Sequence, residues 1–172
     1  DGELLQRGEE KPIGETEKWI NVGYKLKGPS SKVLSNLFPY EFVFRGKHLN
    51  SIETFFQGIK IKDKNTQEYV FKYSGLDSNN IKAASDFDWK ESGIVYWQGK
   101  EIKRDSDEYD NIVDELYISA IQNPLYRNVL KNINKPIIHS MGEVDKKKTV
   151  FTRYEFEFML NCLVEFLKLE RK

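Results

Sequence analysis

The periodicity of hydrophobic and polar positions differs from segment to segment of the chain, and each periodicity predicts a type of secondary structure. Residues 1–17 are polar and charged without a repeating apolar position, which predicts a loose leader. Apolar residues then alternate with polar or small ones from Ile20 to Leu26, which is the pattern of a strand. We therefore expect the folded part of the chain to begin near residue 18.

Turn and strand signals follow between residues 28 and 47. The Gly-Pro-Ser-Ser sequence at 28–31 predicts a turn, and residues 33–39 predict an extended stretch that a proline ends. A short strand over 41–44 then leads into the Arg-Gly-Lys turn at 45–47. This region is expected to consist of short extended pieces joined by turns.

The first helix is expected to begin at Asn50 or Ser51. Asn50 precedes Glu53 by three residues, which is the spacing of a capping box. The apolar stripe of this helix consists of Ile52, Phe55, Phe56 and Ile59. A second helical segment is expected near 67–73, ending at a glycine.

The second half of the sequence carries stronger helical signals. A strand is expected at 94–97, and a helix is expected from about 105 to 122 because its apolar positions repeat at helical spacing. Acidic residues crowd the first turn of this helix, where the helix dipole favours them. Pro124 ends the helix and begins a short one, and residues 136–140 predict a short strand.

The last helix has the clearest start signal. Thr152 is the expected N-cap, Glu155 stands at the capping-box position, and Phe151 is placed to contact Phe156. Its buried seam is expected to consist of Phe156, Leu160, Leu163 and Leu167. With a length of 172 residues, the whole pattern predicts one α+β domain over 18–172, mostly helical with a few short strands.

Charge and composition narrow the classes of function. Lys plus Arg and Asp plus Glu both total 27, and this zero net charge disfavours a protein that grips long stretches of duplex DNA. His48, His139 and the single Cys162 offer no zinc spacing, so no metal is expected. Cys162 lies among apolar residues and is predicted to be a small core residue. No Walker or Gly-rich dinucleotide pattern occurs, so the chemistry is expected to need no cofactor.

The chain also lacks an apolar run long enough to cross a bilayer and a signal-peptide pattern. We therefore expect no membrane partner and a cytoplasmic location. The sequence leaves the oligomeric state open.

The candidate chemistry lies on the first predicted helix. Glu53, Gln57 and Lys60 are spaced i, i+4 and i+7, so a helix places an acid, an amide and an amine on one face. This face borders the apolar stripe, which suits half-buried residues in the wall of a cleft. The alternative is structural: the helix dipole favours Glu53 near a helix start, and Lys60 can simply face solvent.

Two further candidates lie outside that helix. Trp97 could stack on a base and Arg104 could contact a phosphate, and both are therefore candidate ligand-binding residues. Core packing is at least as good an interpretation of the tryptophan.

Three blocks of the sequence resemble the NADAR (YbiA-like) family. Residues 34–39 read LSNLFP, residues 44–47 read FRGK, and residues 51–60 read SIETFFQGIK. They are similar to the family pattern of a Ser-Asn-aromatic element, a Gly turn, and then Ser-x-Glu-x-x-x-Gln-x-x-Lys. Weaker similarity extends over most of the chain after Trp19. The chain departs from the family at its C-terminal block, where the Trp-Gly and Gly-Asn-Leu-Gly runs of YbiA-like members are absent.

The resemblance implies a YbiA-like fold and roles for the matched residues. Glu53 and Lys60 would be the catalytic pair, and Gln57 would support them. The pocket for a ribose phosphate would be shaped by Ser35, Asn36 and Phe38. These roles are what the resemblance implies, and the helical spacing is compatible with them.

The resemblance also implies the reaction class. The leading hypothesis is an N-glycosidase that removes ADP-ribose from ADP-ribosylated guanine, in DNA or as a free nucleoside. The enzyme alternative is hydrolysis of the ribosylamino-pyrimidine phosphates of riboflavin synthesis, which the missing C-terminal block makes less favoured. An alternative from another class is a module that binds ADP-ribose or NAD without catalysis. The expected partners are an ADP-ribose-containing substrate and, under the first hypothesis, ADP-ribosylated DNA.

Overall fold

The computed structural model describes residues 13–77 and 88–170. The α+β class predicted from the sequence is confirmed, because the described residues combine helices with short pairs of strands. The helices are α1 (Ile52–Gly58), α2 (Lys64–Val70), α3 (Trp89–Ser92), α4 (Asp107–Ala120), α5 (Pro124–Lys131) and α6 (Arg153–Leu169). The strands are β1 (Ile20–Asn21), β2 (Phe42–Phe44), β3 (Lys47–Leu49), β4 (Ile94–Trp97), β5 (Lys100–Lys103) and β6 (Ile137–Ile138).

The chain divides into two compact units. Among the described residues, the first unit takes 13–35, 124–145 and 151–170, and the second takes 36–77, 88–123 and 146–150. In this described part, no helix is long and apolar enough to cross a membrane.

A short parallel strand pair organises the first unit. β1 pairs with β6, with Ile20 opposite Ile137. The buried amide of Asn21 extends this pairing, because its Nδ2 donates to Ser140 Oγ at 2.7 Å and its Oδ1 accepts from the backbone N–H of Ser140 at 3.0 Å. The strand predicted over 20–26 is therefore much shorter than expected, since a turn at Gly23 redirects the chain directly after Asn21.

Residues 13–17 are part of this unit instead of a loose leader. The backbone carbonyl of Gly14 accepts from the N–H of Asn21, and Glu15 forms a bridge with Ile20. Lys135 Nζ contacts both the carboxylate of Glu15 at 3.2 Å and the backbone carbonyl of Thr16 at 2.9 Å. The prediction failed here because these contacts are made to distant segments and leave no periodic pattern. Residues 1–12 of the predicted leader lie outside the described residues.

The start of α6 agrees with its sequence signals. Thr152 caps the helix, and the reciprocal capping box with Glu155 is present. Phe151 and Phe156 are in edge contact with their ring centroids 6.2 Å apart, and the predicted seam is buried. Cys162 is a correction, because its side chain is exposed and not in the core. The apolar neighbours on either side misled the prediction, since residues adjacent in a helix point to different faces.

An antiparallel hairpin opens the second unit. β2 pairs with β3, and the two turn residues, Arg45 and Gly46, have φ angles of 48° and 76°. Positive φ at both central residues is what a twisted two-residue hairpin turn requires, and arginine is an unusual residue for such a backbone. The predicted strand and turn are confirmed in this segment. The extended stretch predicted over 33–39 is wrong, because successive turns occupy 31–38.

The N-cap of α1 is Ser51, whose side chain accepts from the backbone N–H of Thr54. The capping box predicted on Asn50 is therefore wrong. Asn50 Nδ2 instead donates to the backbone carbonyl of Lys72 at 3.1 Å, and the N–H of Glu53 donates to the backbone carbonyl of Asn36 at 2.9 Å. Tertiary contacts thus satisfy the polar groups at this helix start and override the local capping pattern.

The opposite end of α1 is held by Gln67, a fully buried residue of α2. Its Nε2 donates to the backbone carbonyls of Gly58 at 2.9 Å and Tyr96 at 2.8 Å. Its Oε1 accepts from the backbone N–H of Gln98 at 2.9 Å. In addition, the backbone N–H of Tyr96 donates to the carbonyl of Ile59 at 2.7 Å. The β4–β5 hairpin and α2 therefore fix the C-terminal end of α1, directly before Lys60.

We expect Gln67→Met to lower the free energy of unfolding by roughly 2–4 kcal/mol, because methionine fills the space but leaves several buried backbone groups without partners. Chemical denaturation followed by circular dichroism measures the loss. Gln122→Met is the matched control, since Gln122 is exposed and bonds only within its own helix end among the described contacts. Equal stabilities of the two variants would contradict the role assigned to Gln67.

Candidate functional site

Two polar residues of α1 and Lys60, in the turn that follows the helix, form a continuous hydrogen-bonded row. Gln57 Nε2 donates to Glu53 Oε1 at 2.6 Å, and Lys60 Nζ donates to Gln57 Oε1 at 3.3 Å. Gln57 is 6% exposed, whereas Glu53 and Lys60 are half-buried. The structure therefore brings together the acid, the amide and the amine that the sequence placed on one helical face.

The amide between the two charged groups defines what this row can do chemically. The NH₂ group of Gln57 donates to Glu53, and its carbonyl oxygen accepts from Lys60. A single orientation of the amide therefore holds both side chains. Glu53 and Lys60 thus face the same region of the surface through this amide. An acid and an amine held in this way can act on neighbouring atoms of one bound molecule.

Asn36 lies beside the start of α1. Its backbone carbonyl accepts from the N–H of Glu53 at 2.9 Å, and its Oδ1 accepts from the phenol of Tyr117 at 2.8 Å. Tyr117 is fully buried in α4. The phenol fixes the orientation of the Asn36 amide, because only the carbonyl oxygen of that amide can accept the bond. The side-chain NH₂ of Asn36 is thereby presented as a donor.

Tyr117 is a contact of the candidate site that sequence reasoning did not find. It lies inside a helix whose apolar positions already explained an aromatic residue there. The bond to Asn36 spans 81 positions of the chain, so no local pattern indicates it.

Gly75 approaches the same helix start. A Cβ atom at this position would lie 2.8 Å from the Cβ of Glu53 and 3.1 Å from the Cα of Leu37. Both neighbours are close to the backbone and cannot move away cheaply. The glycine therefore lets the segment after α2 pack against the base of the Glu53 side chain. The prediction that it ends the second helix is wrong, because α2 spans Lys64–Val70 and its C-cap is Phe71.

Phe38 is half-buried and packs against Tyr40, with the ring centroids 4.7 Å apart. Burial raises the pKa of the Tyr40 phenol to about 12, so the phenol stays neutral near neutral pH. Ser35 is buried and belongs to the first unit, where its N–H donates to the carbonyl of Lys32 at 3.1 Å. Asn36 contacts the start of α1 directly, through the bond that its carbonyl accepts from Glu53.

Trp97 belongs to the aromatic core of the second unit. It is 8% exposed and packs against Phe44, Phe55 and Phe71, with ring centroids 5.1, 6.0 and 5.5 Å away. Its ring also lines a cavity of about 340 Å³. The guanidinium of Arg45 lines the same cavity and lies over the Trp97 ring, 5.8 Å from its centroid. The placement agrees with the packing interpretation, and stacking on a base remains a prediction.

Arg104 is buried and engaged with its own chain. Its Nε donates to the backbone carbonyl of Thr149 at 3.3 Å, and its guanidinium lies 4.7 Å from the ring centroid of Tyr109. The same tyrosine donates to the carbonyl of Val150. These contacts join β5, α4 and the 146–150 segment. A phosphate contact by Arg104 remains a prediction.

The contact between Tyr117 and Asn36 leads to a prediction about ligand affinity. Asn36→Ala is expected to weaken ligand binding by about tenfold, and Tyr117→Phe by about fivefold, because one donor is lost or misoriented. Isothermal titration with ADP-ribose gives the affinities, and thermal melts report the stability. Tyr126→Phe is the matched control, since Tyr126 is a fully buried tyrosine of the first unit. Unchanged affinity in both site variants, with a large loss of stability, would assign them to the core instead.

Comparison with known proteins identifies the family. The family model described as bacteriophage protein GP30.3 matches residues 28–165, which is most of the chain. The chain belongs to this bacteriophage family. It is also 31% identical over 147 residues to an uncharacterized 17.1 kDa protein of the Gp30-rIII intergenic region of Enterobacteria phage T4, covering 84% of this chain and 95% of that protein.

A solved structure shows what fold this phage family member has. The chain is similar to the NMR structure of the E. coli protein YbiA, with a TM-score of 0.57, 14% identity, and coverage of 96% of this chain and 94% of that one. The YbiA-like fold predicted from the sequence is confirmed. The likeness concerns the fold, and the family that the sequence itself matches is the phage one.

Proposed function

We propose that this protein is an N-glycosidase that removes ADP-ribose from ADP-ribosylated guanine in nucleic acid or nucleoside. The observation that carries the proposal is the hydrogen-bonded row of Glu53 and Gln57 on α1 with Lys60 in the turn after it. The YbiA-like fold and the resemblance of the matched motifs support the same reaction class.

In the proposed reaction, Glu53 acts as the general base or proton carrier and Lys60 acts at C1 of the ribose. The N–H groups presented around the carboxylate, from Gln57 and from the oriented amide of Asn36, hold the sugar hydroxyls. Phe38 and Asn36 contribute the wall of the pocket on the N-terminal side of α1. Water replaces the base at C1, so the products are ADP-ribose and the unmodified guanine.

A binding module without catalysis differs from an enzyme in the side chains that its site needs. Such a module gains affinity from hydrogen-bond donors and aromatic surfaces, whereas an acid and an amine linked through a buried amide have a use in proton and covalent chemistry. The half-buried acid and amine, joined through the buried amide of Gln57, therefore favour an enzyme.

A substrate panel tests the proposal. The protein is incubated separately with an ADP-ribosylated guanine oligonucleotide, with ADP-ribosylated guanosine and with a ribosylamino-pyrimidine phosphate, and the products are identified by mass spectrometry. We expect release of ADP-ribose from the guanine substrates. Release of the pyrimidine alone would move the assignment to the riboflavin intermediates, and ADP-ribose binding without turnover of any substrate would reduce the protein to a binding module.

A further inference from the structure

One surface of the first unit takes no part in the chemistry proposed above. It consists of Tyr154, Phe158, Cys162, Phe166 and Leu169 on helix α6, and we name it the α6 aromatic face. These residues are spaced i, i+4, i+8, i+12 and i+15, so the helix places them in one continuous stripe. The buried seam of α6, which packs into the core, lies on the opposite side of the helix.

The four large side chains of the α6 aromatic face are open to solvent. Phe158 is 72% exposed, and the exposed fractions of the others are 67% for Leu169, 61% for Tyr154 and 44% for Phe166. Together they present roughly 450 Å² of mostly apolar surface, since one such side chain offers about 150–250 Å² when it is fully exposed. The largest apolar patch of a typical monomer measures about 300–600 Å² and is often an interaction site. We therefore expect a partner to cover this face.

The order of the side chains along the face is nearly symmetric about Cys162. Phe158 and Phe166 lie four residues before and four after it, and Tyr154 and Leu169 lie eight before and seven after. When two copies of a helix pack antiparallel about a two-fold axis, a residue before the axis faces the residue equally far after it on the second copy. Packing about Cys162 therefore sets Phe158 against Phe166 and Tyr154 against Leu169, at both ends of the contact. The face is thus complementary to itself.

The charged residues of α6 favour the antiparallel over the parallel orientation. The side chain of Glu165 lies within the stripe and is 74% exposed. Parallel packing about a two-fold axis would bring the Glu165 carboxylates of both copies together, and like charges in contact oppose association. In the antiparallel orientation Glu165 is level with Met159 of the second copy. Lys168 is then level with the region of Glu157, so that opposite charges meet at the edge of the face.

We propose that the protein forms a two-fold symmetric dimer in which the α6 aromatic faces of two copies pack antiparallel, with both Cys162 side chains at the axis. The area agrees with this assignment, because the four large side chains alone supply more than half of the roughly 800 Å² that each partner of a stable complex buries. A second copy is favoured as the partner because the face matches itself in side-chain order and in charge. The inference does not depend on the proposed function, since none of Glu53, Gln57 and Lys60 belongs to this unit.

Sedimentation velocity over a range of protein concentrations tests the dimer. We expect the wild type to dimerise at micromolar concentrations and Phe158→Glu to weaken dimerisation by roughly a hundredfold, because two-fold symmetry places the new carboxylate in the apolar contact twice. The fold of this variant is expected to stay intact, since Phe158 is exposed and glutamate is a good helix former. Ile118→Glu is the matched control, because Ile118 is an apolar residue of α4 that is 46% exposed. A monomeric wild type, or an equal loss of dimer in Ile118→Glu, would overturn the proposal.

Cross-linking through the single cysteine of the chain tests the geometry of the dimer. A short bismaleimide is expected to join two wild-type chains at Cys162, whose thiol is exposed in each copy, and to leave Phe158→Glu unlinked at the same concentration. In Leu169→Cys combined with Cys162→Ser, the two thiols would lie about 20 Å apart along an antiparallel pair, at about 1.5 Å per residue. No cross-link is therefore expected for this variant at a concentration at which sedimentation shows it to be a dimer. A dimer linked at position 169, or a wild-type dimer not linked at Cys162, would overturn the proposal.

Discussion

Replacing Glu53 with glutamine is expected to lower kcat by about two to four orders of magnitude, the usual contribution of a general acid–base group. The substitution keeps the shape of the side chain and a carbonyl oxygen that accepts from Gln57, so the hydrogen-bonded row survives. Only the basicity of the carboxylate is lost. Thermal melts are expected to show an intact fold, and ADP-ribose affinity is expected to change little.

Glu108→Gln is the matched control for this experiment. Glu108 also lies in the first turn of a helix and also contacts a lysine, at 2.8 Å from Lys100. The control is expected to turn over like the wild type. If Glu53→Gln retains a kcat near the wild-type value, Glu53 only stabilises the start of α1 through the helix dipole, and the catalytic assignment is wrong.

Lys60→Arg is expected to abolish turnover, because guanidinium keeps the charge but cannot form an imine. In the proposed route the ribose ring opens, and the C1–N bond to guanine becomes an imine. The amine of Lys60 adds to C1 and gives up a proton to Glu53, guanine leaves with its bonding electron pair and a proton, and a lysine imine remains. Water then adds to C1 and releases ADP-ribose and the free amine, so the step needs no other reactant.

Borohydride added during turnover traps this intermediate. Reduction of the imine is expected to leave ADP-ribose attached to Lys60, which mass spectrometry of the digested protein locates. Lys62→Arg is the control, since Lys62 is exposed and lies two residues beyond Lys60. If Lys60→Arg turns over normally and no adduct forms, the covalent route is wrong and Lys60 is at most a phosphate contact.

The elements with complete local signals were predictable from the sequence. Helix α6 has a reciprocal capping box at Thr152 and an unbroken apolar seam, and its start agrees with prediction. The pairing of Glu53 with Gln57 was also predictable, because helical spacing places the two side chains on one face. Lys60 completes the row from the turn after α1, outside the helix on which the spacing argument placed it. These features depend on contacts within about two turns of chain.

Features that depend on distant contacts were not predictable. Asn50 is three residues from Glu53, but its side-chain amide donates to the backbone carbonyl of Lys72. The N-cap of α1 is therefore Ser51. The orientation of Asn36 depends on a phenol 81 residues away. Cys162 shows the same limit for burial, since its neighbours in sequence are not its neighbours in space.

Identification of the products that the wild-type protein makes from an ADP-ribosylated guanine oligonucleotide tests the central claim most directly. Mass spectrometry is expected to find intact ADP-ribose and a strand restored to its unmodified mass, which is the outcome of cleavage at C1 of the ribose. A strand that keeps a phosphoribosyl group would show cleavage at the pyrophosphate, and an unchanged strand would show no reaction. Either of these two results would contradict the assignment of the α1 face as an N-glycosidase site.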